Sequence, residues 1–207
     1  MYVPASFRED SPDKLHEFIK TYSFGTLFSG SEGDFKASHL PFLLEEKAGG
    51  RGKLTGHMAK ANDHWQSLAG KEVLVVFQGP HAYISPAWYE EPDTVPTWNY
   101  VAAHVYGEYA PVTGEEKLKE ILGRTVGFYE GGMSKPWDMG SLSGPFLEKM
   151  LNAIVGFEIE IRRIEGKWKL SQNHPEARRQ KVVRALEKLG KPNALEIAKL
   201  MAQKERT

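Results

Sequence analysis

The residues from Val75 to Gly107, V-V-F-Q-G-P-H-A-Y-I-S-P-A-W-Y-E-E-P-D-T-V-P-T-W-N-Y-V-A-A-H-V-Y-G, constrain the fold more than any other stretch. An apolar strand start, a break expected at Gly79-Pro80, two Pro-punctuated segments and a second apolar strand describe a sheet with stiff connections. Tyr83, Ser85, Trp88, Tyr89, Thr97, Trp98, Asn99 and Tyr100 combine flat apolar faces with donors and acceptors, the lining a planar heterocycle needs. Pro80, Pro86, Pro92 and Pro96 each fix a backbone angle and restrict the residue before them. The stretch therefore predicts a preformed ligand site.

The flanking sequence supplies more strands. Ser11-Pro12-Asp13 opens a short helix with Leu15, Phe18, Ile19 and Tyr22 at helical spacing. Phe24 to Ser29, a turn at Glu32-Gly33-Asp34, and Phe35 to Leu44 read as a hairpin. The loop Gly49-Gly50-Arg51-Gly52 leads to a third strand, Lys53 to Met58, and Asn62 or Asp63 caps a short helix through Trp65 and Leu68. Val73 to Phe77, Ile84 to Ser85 and Trp98 to Val112 read as further strands. Thr113-Gly114-Glu115-Glu116 reads as a capping box for a helix closed by Gly131-Gly132, and Ser143 to Leu151 gives another helix. Phe157, Ile159 and Ile161 alternate with charged residues, Glu165-Gly166 is expected to turn the chain into Lys167 to Leu170, and two helices follow, the last capped by Asn193. Hairpin-joined strands with helices between only some of them predict an α+β fold, an antiparallel barrel with peripheral helices. No Gly-x-Gly-x-x-Gly or Walker-type loop is present, which excludes the common nucleotide folds that need one.

The absence of cysteine excludes disulfides, thiolate metal sites and thiol nucleophiles. With no apolar run near the roughly 20 residues of a membrane span and no signal-like start, the expectation is a cytoplasmic protein without membrane contact. The formal net charge is zero, which argues against bulk coating of nucleic acid, but the distribution is uneven. From Pro175 to Thr207 there are nine Lys or Arg against four Glu, a local +5 that leaves −5 on the preceding 174 residues. Such a tail fits either a polyanion-binding extension or a solvated pair of helices.

Three polar constellations stand out. Ser38-His39-Leu40-Pro41 and Gly56-His57-Met58-Ala59-Lys60-Ala61-Asn62 place a cation beside a helix start, suited to a phosphate monoester; the same residues equally fit a capped helix with an exposed Lys. His39, His57, His81 and His104 lie on or beside strands, but none forms an i, i+4 pair with an acid, so single structural imidazoles explain them and haem ligation has no attachment motif. Gly166-Lys167-Trp168-Lys169-Leu170-Ser171-Gln172-Asn173 gathers enough donors to read a carbonyl-rich ring edge or a phosphate, or else ends a strand before Pro175. No Ser-His-Asp or paired-carboxylate spacing is informative.

G-P-H-A-Y-I-S-P-A-W-Y (79 to 89), V-P-T-W-N-Y (95 to 100), G-H-M-A-K-A-N (56 to 62), S-H-L-P (38 to 41), G-K-W-K-L-S-Q-N (166 to 173) and the opening M-Y-x-P-x-x-F resemble the PaiB family, over residues 1 to about 190. The resemblance implies a six-stranded antiparallel FMN-binding split β-barrel over 1–174, with a basic helical extension over 175–207. It implies FMN as cofactor, a homodimer with flavin at the subunit interface, and negative transcriptional regulation of sporulation and degradative-enzyme genes. The alternative within the barrel superfamily is a flavin- or haem-dependent oxidoreductase. By the resemblance, His39, His57, Lys60 and Asn62 lie near the phosphate and ribityl chain, and Tyr83, Ser85, Trp98 and Asn99 near the ring. Lys169, Ser171 and Gln172 come from the partner subunit. Under the regulator reading Arg178, Arg179, Lys181 and Arg184 meet DNA; under the oxidoreductase reading they do not.

Overall fold

The computed structural model describes residues 1–31, 33–47 and 50–203. Glu32 of the expected hairpin turn, Gly49 of the glycine loop, and Lys204, Glu205, Arg206 and Thr207 of the expected basic extension lie outside the described residues. The described strands are β1 (Arg8–Glu9), β2 (Phe24–Ser31), β3 (Asp34–Pro41), β4 (Leu43–Glu45), β5 (Lys53–Ala59), β6 (Glu72–Ile84), β7 (Thr97–Val112) and β8 (Ile154–Lys169). The helices are α1 (Pro12–Thr21), α2 (Glu115–Glu130), α3 (Gly144–Asn152), α4 (Glu176–Leu189) and α5 (Pro192–Gln203). Hydrogen-bonded neighbours run β3-β2-β6-β7-β8-β5-β4, with β1 on β8. Two compact units result: a first of Met1–Phe18, Gln78–His104 and Glu165–Thr207, and a second of Ile19–Phe77 and Val105–Ile164.

Eight strands stand where six were expected, because two short ones are added. β1 has two residues paired with Lys167 and Gly166. β4 separates from β3 at Phe42, whose N–H turns away to the Ser23 carbonyl at 2.8 Å.

In the first unit, α1 carries Leu15 and Phe18 against the end of β8, with the Phe18 and Trp168 rings 5.0 Å apart. This packing overturns two expected breaks. β6 continues through Gly79-Pro80, because a Cβ on Gly79 would meet Phe18 at 2.6 Å, so the glycine serves close approach and Pro80 tolerates extended backbone. β8 likewise continues through Glu165-Gly166, where a Cβ would meet Leu15 at 2.5 Å and the Glu9 carbonyl at 2.7 Å. α4 and α5 close this unit with Val182, Leu186, Ile197 and Met201 buried.

In the second unit, β2 pairs antiparallel with β3 and β6, and β5 with β4 and β8. Its core is aromatic: Phe42 meets Phe77 and Phe157 edge-on at 5.6 and 5.8 Å, and Tyr109 stacks on Phe157 at 5.3 Å. The expected capping box at the start of α2 does not form; Gly114, at φ 107, is the N-cap and no side chain caps the helix.

A charge network ties α2 to this sheet. Lys53 bridges Glu158 at 2.7 Å and Glu45 at 3.5 Å, Lys117 reaches Glu158 at 2.9 Å, and Arg124 reaches Glu45 at 2.7 Å. Burial raises the Glu158 carboxyl, but its bonds to Lys53 and Lys117 outweigh that and hold it below the ordinary glutamate value. A folded-state value below the unfolded one adds stability above the unfolded pKa and loses it as pH falls through the folded one. Glu158→Gln is therefore expected to cost roughly 1–2 kcal/mol at pH 7, with that difference fading as pH drops below about 4. Urea melts across pH 3–7 check this; a difference constant with pH would refute it.

Candidate functional site

The phosphate-side candidates all belong to the second unit. His39, on β3 opposite Thr26, is exposed, accepts or donates at Nδ1 to Thr26 Oγ1 at 2.9 Å, and stacks against Phe24. His57, on β5, is half-buried; its Nδ1 is buried without a hydrogen-bond partner, and burial pushes the imidazole pKa down, so the ring is neutral. Asn62 caps the short 3-10 turn Asp63–Ser67, accepting at Oδ1 from the His64 N–H at 3.1 Å and donating from Nδ2 to Ser38 Oγ at 3.0 Å. The helix-start amides are largely used: the Lys60 N–H goes to the Ala153 carbonyl and the Asn62 N–H to the Ala59 carbonyl. What remains there for an anion is the exposed Lys60 side chain.

Lys60 edges a cleft of about 390 Å³ lined also by Trp65, Glu115, Glu148 and Asn152. The two carboxylates oppose a dianion inside this cleft, which leaves the exposed Lys60 ammonium as its cationic group among the lining residues.

His64 was not visible as important in the sequence. It is 1% exposed, with Nε2 bonded to Ser29 Oγ and Nδ1 to Ser38 Oγ, each at 2.8 Å. Burial, then the nearby Lys36, lower its pKa, so a neutral imidazole pins β2, β3 and the Asn62 turn together. Only its position just after a cap residue hinted at this.

The ring-side candidates belong to the first unit. Tyr83 on β6 and Trp98 on β7 are 47% and 52% exposed, with rings 6.0 Å apart at 73°, and His81 lies 5.9 Å from Trp98. These large rings, half in solvent, fit a planar ligand laid against them. Lys169 Nζ donates to Thr97 Oγ1 at 2.6 Å and to the Trp98 carbonyl at 2.5 Å, keeping a third N–H. Within the chain, Lys169 and Ser171 meet residues 97 to 99, and Gln172 bonds its own turn.

Other candidates there are committed internally. Asn99 is fully buried; its Nδ2 donates to Ser171 Oγ at 3.0 Å and to Met201 Sδ at 3.5 Å, while Ser171 Oγ donates back to Asn99 Oδ1 at 3.2 Å. Ser171 sits at φ 62, and Gln172 braces this turn, accepting from the Leu170 N–H at 2.7 Å and donating to the Trp168 carbonyl at 2.5 Å. Ser85 caps the 3-10 turn Pro86–Trp88. Tyr83, Trp98 and Lys169 are therefore the groups free to meet a ligand ring.

The basic candidates on α4 are also occupied. Arg178 pairs with Glu91 and lies over the Tyr89 ring; Lys181 donates to the Tyr89 carbonyl at 2.8 Å and pairs with Glu90 at 3.1 Å; Arg179 donates to the Met201 carbonyl at 3.2 Å. These bonds brace a connection in which Glu90 and Asp93 both take φ 54, a costly conformation for residues with a Cβ. Arg184 is exposed. Among the described residues no cluster of His, Asp or Glu could hold a metal, and no helix is long and apolar enough to cross a membrane.

Comparison with known proteins bears on the family and the fold. The family described as "Putative FMN-binding domain" matches residues 1–163. The "Protease synthase and sporulation protein PAI 2" of Bacillus subtilis is 39% identical over 207 residues, 99% of this chain and 98% of that protein. The flavocytochrome Anf3 of Azotobacter vinelandii superposes with TM-score 0.60 at 12% identity, over 78% of this chain and 69% of that one. A FAD and haem binding protein of Mycobacterium smegmatis gives 0.55 at 15% identity, over 78% and 73%. The structural likeness fixes the fold as an α+β antiparallel split barrel. The chain belongs to the PaiB family of FMN-binding-domain proteins, and FMN is the cofactor that family assigns to it.

Proposed function

We propose that this chain is an FMN-binding homodimer acting as a negative transcriptional regulator of the PaiB type, directed at sporulation and degradative-enzyme genes. The observation that carries the flavin part is the half-exposed pair Tyr83 and Trp98 beside the Lys169 ammonium, an aromatic surface with a donor for a carbonyl-rich edge. Trp98 and Tyr83 hold the ring, with His81 and Lys169 beside them and Ser85, Asn99, Ser171 and Gln172 shaping the backbone around them. Lys60 is the candidate group for a phosphate, with His39, His57 and Asn62 on the same unit. Bound flavin brings one- and two-electron redox chemistry; the protein positions it and excludes competing reactions.

The dimer is supported by an uncovered apolar face on the second unit. Phe24 and Phe28 on β2, 65% and 40% exposed, lie beside Ala37 and Pro41 of β3 through the register Phe28↔Ala37 and Phe24↔Pro41. The two exposed rings stand on either side of the Thr26–His39 pair, and exposed aromatic surface of this kind fits a second copy.

A second reading, a flavin- or haem-dependent oxidoreductase, is favoured by one feature: Arg178, Arg179 and Lys181 already satisfy internal partners, so DNA contact through them requires those bonds to break. Titrating promoter DNA at several salt concentrations, with and without FMN, separates the two. The regulator reading expects a salt-sensitive shift whose log-log slope falls by roughly one for each phosphate contact removed, Arg184→Ala included. No shift at low salt in either flavin state would contradict it.

A further inference from the structure

Lys167 and Lys169 stand two residues apart on β8 and project on one side of it, roughly 7 Å apart along the strand. Lys167 is 7% exposed; its Nζ donates to the Tyr2 carbonyl at 3.0 Å and faces the Tyr2 and Tyr100 rings at 5.4 and 5.2 Å. Lys169 has the Thr97 hydroxyl, the Trp98 carbonyl and the Phe7 ring face at 5.8 Å. Carbonyls, a hydroxyl and ring faces surround both ammoniums, and among the described residues neither pairs with a carboxylate. Glu165, next along the same side of β8, is taken by the amino group of Met1 at 2.5 Å. Two neighbouring cations, one buried and one half-buried, are ordinarily balanced by an acid, because lost hydration is recovered chiefly through a counter-charge.

We propose that Lys167 and Lys169, together with Trp98 and Tyr83, form a site for a planar ring that bears negative charge at one edge. The two half-exposed rings at 73° give a flat wall and an edge for the ligand ring, and the third N–H of Lys169 meets its charged edge. Burial and the adjacent Lys167 lower the Lys169 pKa, the strain that a bound anion relieves. His174, whose pKa is lowered by burial, then by Arg178 and Lys169, adds a neutral imidazole nearby, and Glu91 there is held by Arg178. The charged ring has two sources. One is the pyrimidine edge of FMN, which gains negative charge on reduction, and this case rests on the flavin reading. The other is a separate aromatic carboxylate.

Calorimetric titration of flavin-free protein with benzoate and with its neutral isostere benzamide tests this directly. Benzoate is expected to bind, with benzamide weaker by roughly tenfold or more. Lys169→Met and Lys167→Met each lose benzoate affinity by a similar factor without altering benzamide, and Lys169→Arg retains it. Thermal melts of each variant check that the fold persists. Equal binding of the two probes, binding of neither, or unchanged benzoate affinity in Lys169→Met overturns the proposal. Repeating the titration at saturating FMN assigns the source: displacement of benzoate identifies the flavin edge, and persistence identifies a second molecule. Should FMN itself fail to bind, the flavin reading falls while the benzoate comparison still decides the anion site.

Discussion

Replacing Phe157 by alanine is expected to destabilise the protein by about 3–5 kcal/mol, the largest effect of any single change considered. Phe157 is fully buried and touches Phe42 edge-on while stacking on Tyr109. The wall opposite it is backbone: a Cβ on Gly56 would lie 2.7 Å from the Phe157 ring, so β5 is already as close as it comes and has little freedom to collapse into a cavity. For a chain of this length each kcal/mol moves the thermal midpoint by roughly 2–4 °C, so the fall should be about 6–20 °C. Tyr109→Phe provides the contrast. The Tyr109 hydroxyl is buried without a partner, and burial pushes its pKa up, so removing it should cost nothing or stabilise. Denaturant melts of both variants check the pair; a loss under about 1 kcal/mol in Phe157→Ala would show a core that repacks.

Much of the fold was legible, since strand periodicity and turn chemistry report local preferences. Phe24 to Ser31, Lys53 to Ala59 and Thr97 to Val112 emerge as strands nearly where alternation places them. What could not be read is what a glycine is for. Gly79 and Gly166 look like turns in the sequence, yet each lies within a continuous strand and makes room for α1, a partner some 60 to 150 residues distant. Thr113 and Glu116 have capping-box spacing, but the backbone enters α2 one residue later through Gly114.

The candidate site divides the same way. Residue chemistry pointed to Trp98, Tyr83, Lys169 and Lys60, all of which keep surface or donors available. Internal commitments were hidden because they join distant positions: Asn99 to Ser171, Arg178 to Glu91, and His64 to Ser29 and Ser38. A polar side chain in a sequence does not reveal whether its bonding capacity is already spent, which only the tertiary partner decides.

Trp98→Ala carries the second large expected effect. Its indole is half-exposed and edge-on to Tyr83, so truncation removes the flat surface without opening the buried core. Loss of an aromatic stacking partner costs about 1–3 kcal/mol per ring, so FMN and riboflavin should both weaken by roughly tenfold or more. Thermal stability should change little, since the ring packs on one side only.

Fluorescence titration of the unmodified protein, Trp98→Ala and Lys60→Ala with FMN and with riboflavin, which lacks the phosphate, tests the flavin-binding account most directly. The unmodified protein should bind FMN. Trp98→Ala should weaken both ligands alike, and Lys60→Ala should cost FMN about 1.5–3 kcal/mol more than riboflavin, since only FMN presents a charged group to the ammonium. Equal losses for the two flavins in Lys60→Ala would remove the phosphate from that position, and failure of the unmodified protein to bind FMN at all would contradict the account.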